Sequence, residues 1–229
     1  MAAINDILFR PFWFISIELI FYIISMLITF GISFYSYKVY KMSSNTNYKY
    51  LAAAFLSMTA GFLAGAVSNF AIIDYGLFEK ISNFLFIIKP SYFYTLGLIS
   101  HTFFILGGYI ILSCLASNVR NKRVILSLLL IALLCAILVK QAWSLTFFYF
   151  FSFVLLVVYM VPYAYDNYKE KKSKSPYLVF FSFLLLAISN LIFIGMSAYQ
   201  IFGLYIAGQF ISLLAYIILL GNLILVLRK

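Results

Sequence analysis

Two ionisable side chains stand inside apolar stretches that are otherwise free of charge: Glu18 and His101, the only histidine of the chain. An ionisable group at membrane depth is costly to hold, so each is a functional candidate. Counting a rise of about 1.5 Å per residue, Glu18 lies on the order of 9 Å, His101 roughly 13 Å and the amide of Gln209 about 9 Å below the outer end of its helix. Similar depth lets them meet. Glu18 shares a helical face with Tyr22, and Gln209 with Tyr205, each pair four residues apart. Asn190 adds an amide near mid-depth. A carboxylate beside an imidazole could relay a proton, or hold a cation or an amine. We therefore expect Glu18 and His101 to form a hydrogen-bonded pair lining an outward-facing pocket, with Gln209, Asn190, Tyr22 and Tyr205 as further ligand-binding candidates. The same polar stripes also suit plain interhelical hydrogen bonding. Glu18 alone could be an interfacial carboxylate that snorkels outward, and His101 a satisfied core histidine.

The elements that position these groups follow from composition. Of 229 residues, 66% are hydrophobic and 10% charged, with a mean hydropathy of +1.07. No soluble domain could hide so much apolar surface, since such domains are roughly 45–50% apolar. The apolar runs are about 20 residues long and lack strand alternation, so the spans are helices. The fold class expected is all-α: one polytopic membrane domain over 1–229, a bundle of seven transmembrane helices. The spans fall at about 12–37, 48–73, 91–117, 124–140, 143–165, 176–199 and 203–227. Leu77 to Lys89 is too short to span and carries Leu77, Ile81, Leu85 and Ile88 on one face, which predicts a short interfacial helix between helices 2 and 3. The first residues lack the basic start and small-residue cleavage site of a signal peptide, so helix 1 is expected to be retained.

Charge orients the bundle. Twelve of the sixteen Lys and Arg fall in the loops after helices 1, 3 and 5 and at the C-terminus. The positive-inside rule makes that side cytoplasmic and puts the N-terminus outside. The net charge of +10 thus reflects orientation and contact with anionic lipid heads, not nucleic acid. The expected localisation is the cell membrane, multi-pass. The lipid bilayer is the partner implied, and the basic cytoplasmic loops could dock a membrane or cytoplasmic protein. The oligomeric state stays open.

Helix 2 carries a ladder of small residues, Ala53, Ser57, Gly61 and Gly65, with Asn69 one step further on. A face without bulk lets helices approach closely in lipid. We expect it to draw helices 1 and 3 together inside the bundle.

A shift of 128 aligns Tyr35-Ser-Tyr-Lys-Val-Tyr-Lys41 with Tyr163-Ala-Tyr-Asp-Asn-Tyr-Lys169 at four positions. Helices 1 and 5 run in the same direction, so this is a candidate parallel repeat of three helices with helix 4 as linker. In a chain with 19 Tyr, composition alone can also produce such matches. This three-plus-one-plus-three layout resembles the PQ-loop and SWEET transporters in topology alone, because the chain has no Pro-Gln pair. The segment Tyr-Ser-Tyr-Lys-Val-Tyr-Lys-Met-Ser, with the following Tyr-Lys-Tyr-Leu, is similar to uncharacterised archaeal-type multi-pass proteins, a likeness that implies no activity.

Several functions lack their residues. One histidine cannot provide a bis-histidine haem site, no His-Glu-x-x-His or Gly-x-Ser-x-Gly pattern occurs, and the acidic residues never cluster. Cys114 and Cys135 lie at different depths and lack metal-ligand spacing. We expect no catalytic residue, metal or cofactor. The leading expectation is a non-enzymatic sensor, receptor or scaffold subunit; the alternative is a small-molecule or ion transporter of 3+1+3 topology.

Overall fold

The computed structural model describes residues 12–73, 90–138, 142–199 and 201–227. Among them every regular element is helical. They form α1 (Phe12–Ser43), α2 (Thr46–Ile73), α3 (Pro90–Ala116), α4 (Lys122–Leu138), α5, α6 (Lys174–Tyr199) and α7 (Phe202–Leu227). Helix α5 has three contiguous parts: Ala142–Leu155, a π-helical stretch Leu156–Met160, and Val161–Lys171. Six of the helices are long and apolar enough to cross a membrane; α4, with 17 residues, is not among them. The expected interfacial helix over Leu77 to Lys89 lies outside the described residues.

Six predicted spans fall on the six long apolar helices and the fourth, about 124–140, falls on α4, but α1 and α5 run on past 37 and 165, to Ser43 and Lys171. Their extensions are polar and carry Lys38 and Lys41, or Lys169 and Lys171, which suits a helix emerging from lipid. We call this the basic end. The pairs α1/α2 and α5/α6 are joined there by two residues each, 44–45 and 172–173.

Six helices form a ring. α2 packs between α1 and α3, α6 packs between α5 and α7, and the ring closes through contacts of α1 with α7 and of α3 with α5. α4 rides outside, mainly on α3. It turns Ala132 and Ala136 inward and exposes Leu126, Leu130, Leu134 and Ile137. Apolar residues on the outer faces, such as Ile20, Leu27 and Phe34, suit a lipid solvent.

The small-residue ladder does its work inside the bundle. A Cβ on Gly65 would stand 2.7 Å from Cε2 of Tyr22 on α1 and 3.1 Å from Nδ1 of His101 on α3. The Ser57 hydroxyl donates to the Phe104 carbonyl at 2.7 Å. One rung is corrected: Ala53 is exposed, and its neighbour Ala54 is fully buried. The reason is drift. At about 100° per residue, a line of fours swings away from the axis, so Ala53 lies about 120° around from Gly65.

The π-helical stretch was not foreseen. The Val161 N–H bonds the Leu156 carbonyl five residues back, and Pro162 follows with no N–H to give. A proline in a helix frees a carbonyl of the preceding turn, and such sites are where helices bend. Pro162 was the legible signal.

Three helix ends turn through left-handed residues that are not glycine: Ser44 (φ 53°), Asn118 (φ 55°) and Lys172 (φ 43°). A side chain in that region costs roughly 1–2 kcal/mol per residue. Ser44→Gly is therefore expected to raise stability by about 1 kcal/mol, measured as a higher melting temperature in mild detergent.

Candidate binding site

Glu18 is the hub of a buried polar cluster; it is 4% exposed. Its neighbour one turn on, Tyr22, donates a hydroxyl hydrogen bond to Glu18 Oε1 at 3.0 Å. From α7, the Tyr205 hydroxyl donates to the same oxygen at 2.7 Å. From α2, Asn69 Nδ2 donates to Oε2 at 2.9 Å. Gln209 stands behind this layer, its Nε2 donating to the Tyr205 hydroxyl at 2.8 Å. Three helices thus converge on one carboxylate. Each contributes a residue at the line where it faces the ring interior, since spacing of four keeps Glu18 with Tyr22 and Tyr205 with Gln209.

His101 joins by another route. Its Nδ1–H donates to the Gly61 carbonyl at 2.9 Å. Its ring lies against Tyr22, with centroids 4.9 Å apart. The expected hydrogen-bonded pair is therefore corrected: Tyr22 links the two groups, bonded to Glu18 and packed on His101. The histidine's own partner is a backbone carbonyl, reached because Gly61 leaves α3 room to approach. Both side chains do line the same cavity, as expected. Asn190 does not belong there. Its Nδ2 donates to the Leu186 carbonyl at 2.9 Å, and it is joined by side-chain hydrogen bonds to Tyr109, which also bonds Tyr216. That makes a second polar cluster, separate from the first.

The cavity at Glu18 measures about 30 Å³ and is walled by Tyr22, Asn69, His101, Thr102 and Tyr205 among others. One water needs roughly 10–15 Å³ of such space, so the cavity holds one or two waters or a single bare ion. Thr102 is 1% exposed, lines this space, and its hydroxyl has no hydrogen-bond partner. No lysine or arginine is among the described lining residues. The three donors described at the carboxylate, from Tyr22, Tyr205 and Asn69, are all neutral. Among the described residues no group of three or more His, Cys, Asp or Glu comes together.

A second, larger cavity of about 330 Å³ opens at the basic end. It takes residues from all six ring helices: Ile32, Phe55, Leu115, Tyr163, Phe183 and Asn222 stand for α1, α2, α3, α5, α6 and α7 in order. The Glu18 cavity also draws on all six, with Leu98 from α3, Phe148 from α5 and Met196 from α6. Both therefore lie on the axis of the ring.

No protein-family model, curated protein or solved structure matches the chain. What the site can do is set by its own geometry. Between the cavities stands a run of aromatic rings. Phe62 touches the rings of His101 and Tyr22, at centroid distances of 5.9 and 6.2 Å. Tyr216 meets Phe62 at 6.0 Å and Phe55 at 6.4 Å. His101 and Tyr22 belong to one cavity wall and Phe55 to the other. The septum is thus about two rings thick, Phe62 and Tyr216, and its edges are shared with both cavities.

Asn69, Thr102 and the residues of the larger cavity were missed as site residues. Asn69 had a signal, since it extends the Gly61/Gly65 line at membrane depth. Thr102 had none beyond adjacency to His101.

Proposed function

We propose that this chain is a membrane carrier whose Glu18 site holds a monovalent cation, a proton included. The observation that carries the reading is a carboxylate buried where three helices converge, placed on the same axis as a wide cavity and divided from it by a thin aromatic septum. Two cavities meeting across a closed layer suit alternating access, in which a site is exposed to one side at a time. By the positive-inside rule the basic end is cytoplasmic and the N-terminal end of α1 faces outward. The wide cavity then opens inward and Glu18 occupies the outer half. α4 is read as a seventh span linking two parallel halves. In support, each half has its second helix in the middle, and the matching tyrosine segments occupy the ends of α1 and α5. The reading places the chain in the cell membrane and includes no catalytic step.

A sensor or scaffold role, favoured on sequence grounds, draws on the basic cytoplasmic loops. The outer cavity, at about 30 Å³, leaves no room for an organic messenger, which moves the balance to transport.

The test uses the full chain in proteoliposomes on a solid-supported membrane, given jumps of pH and of Na⁺. Wild type is expected to give a transient charge displacement as the cation enters. Glu18→Gln, which keeps an oxygen to accept from the two tyrosines while removing the charge, is expected to lower it at least about tenfold while eluting as the same monodisperse peak. Equal displacement in both proteins would sink the carrier reading.

A further inference from the structure

The cavity at the basic end has a chemistry distinct from the Glu18 site, and we propose that it binds a small amphipathic organic monoanion bearing a hydrogen-bond donor on its apolar end. The inference names the cargo class of the proposed carrier and rests on that reading for its role in transport, though not for binding. Three observations carry it.

The first is size. About 330 Å³ falls within the roughly 300–1,000 Å³ of small-molecule sites, and is too large for an ion alone. The second is charge. Among the described lining residues Lys171 is the only charged one, and none is Asp or Glu. It sits at the mouth beside the amides of Asn45, Asn47 and Asn167, where exposed Lys172 and Lys174 follow. An anion is drawn to such a mouth, and an ammonium is not. The third is the depths of the cavity. Phe55, Leu219, Met160 and Phe183 make an apolar wall. Into it is set Asn222, 5% exposed, whose Oδ1 has no hydrogen-bond partner. An unpaired buried acceptor favours a ligand that brings a donor to it, and penalises one that does not. Asn222 lies five residues from the end of α7 at Leu227, about 8 Å inside the mouth. The ligand spans that distance with its anionic group at Lys171, its apolar body on the wall, and its donor at Asn222. A monoanion crossing together with a cation at Glu18 moves no net charge, which makes the two sites compatible as halves of one cycle.

The probe is 6-hydroxy-2-naphthoate, followed by its fluorescence on the full chain in mild detergent. Its competitors are 2-naphthoate, which lacks the donor, and 2-naphthylmethylamine, which reverses the charge. Saturable binding is expected, with 2-naphthoate about tenfold weaker and the amine weaker still. Asn222→Leu is expected to bring the two acids within about twofold of each other. Lys171→Gln is expected to weaken both acids alike, by about tenfold at most, as befits an exposed cation. Absence of saturable binding, tighter binding of the amine, or a hydroxyl preference that survives Asn222→Leu would overturn the inference. So would displacement of the probe when nanodiscs of phosphatidylcholine are replaced by ones containing phosphatidylglycerol, since that assigns the cavity to a membrane lipid. The two readouts, charge displacement and probe binding, separate the two proposals. Probe binding that persists where wild-type charge displacement is absent fails the carrier alone. Displacement without probe binding fails the cargo class alone.

Discussion

Gly61→Leu is expected to leave no folded monomer. A Cβ at this position would stand 3.0 Å from Ile105 Cγ1 and 3.1 Å from the His101 carbonyl oxygen. The second neighbour is backbone and cannot rotate away, so α3 itself would have to retreat. The Gly61 carbonyl also receives the His101 Nδ1–H at 2.9 Å, and any retreat breaks that bond. Overpacking a well-filled core costs typically 1–3 kcal/mol and occasionally more, and a lost buried hydrogen bond adds roughly 1–3. A total of about 2–6 kcal/mol is a large share of the roughly 5–15 kcal/mol that holds ordinary domains together. Size-exclusion chromatography in mild detergent should show aggregate in place of the monodisperse peak. Ala53→Leu, on the exposed side of the same helix, should elute as wild type. A Gly61→Leu protein that folds normally but loses self-association would return the ladder to a contact between copies.

Phe62→Ala is expected to convert the proposed carrier into a leak. Phe62 is 7% exposed and is the ring that touches the wall of the Glu18 cavity on one side and Tyr216 on the other. Removing it leaves a void on the ring axis, bordered by Glu18's partners above and by Tyr216 below. The cost in stability is about 3–5 kcal/mol if the core does not relax. The functional effect is larger. A void lined by Tyr22, His101 and Tyr216 has polar partners for water, and a file of water there joins the two cavities. Proteoliposomes loaded with a pH-sensitive dye should then dissipate a proton gradient at least tenfold faster than wild type, without any saturable dependence on cargo. Phe62→Leu, which keeps most of the volume, should stay tight. If Phe62→Ala folds and remains as tight as wild type, the two cavities are not divided at this ring.

Much of this arrangement was legible in the chain itself. Glu18 stood out because charge is rare at that depth; its face partner Tyr22 followed from spacing of four, and Tyr205 was reached through Gln209, its own face partner at similar depth on α7. The small-residue line predicted the close approach of α1 and α3 to α2. What escaped had physical reasons. The partner of His101 is a carbonyl, and every residue has one, so no residue type announces it. Asn45, Asn47 and Asn167 sit at helix ends, where amides are ordinary solvated residues; only the fold turns them toward one mouth. Asn190 was grouped with Glu18 because depth was read without the angle around the helix. Ala53 failed for the same cause, as small angular drifts add up over three turns.

The two-residue links at the basic end have a mechanical consequence. α1 with α2, and α5 with α6, are hairpins whose tips cannot spread, because residues 44–45 and 172–173 leave no slack. Asn45 and Asn47 stand at one tip, Lys171 and Ser175 at the other, and all four border the same mouth. In the carrier proposed above, opening and closing would be two stiff jaws changing their separation, with the aromatic rings as fulcrum. The π-helical stretch lies within one jaw, between its tip and that fulcrum. Compliance there would let one jaw of the proposed carrier flex while the other acts as its anvil, so the two hairpins would carry unequal shares of the stroke.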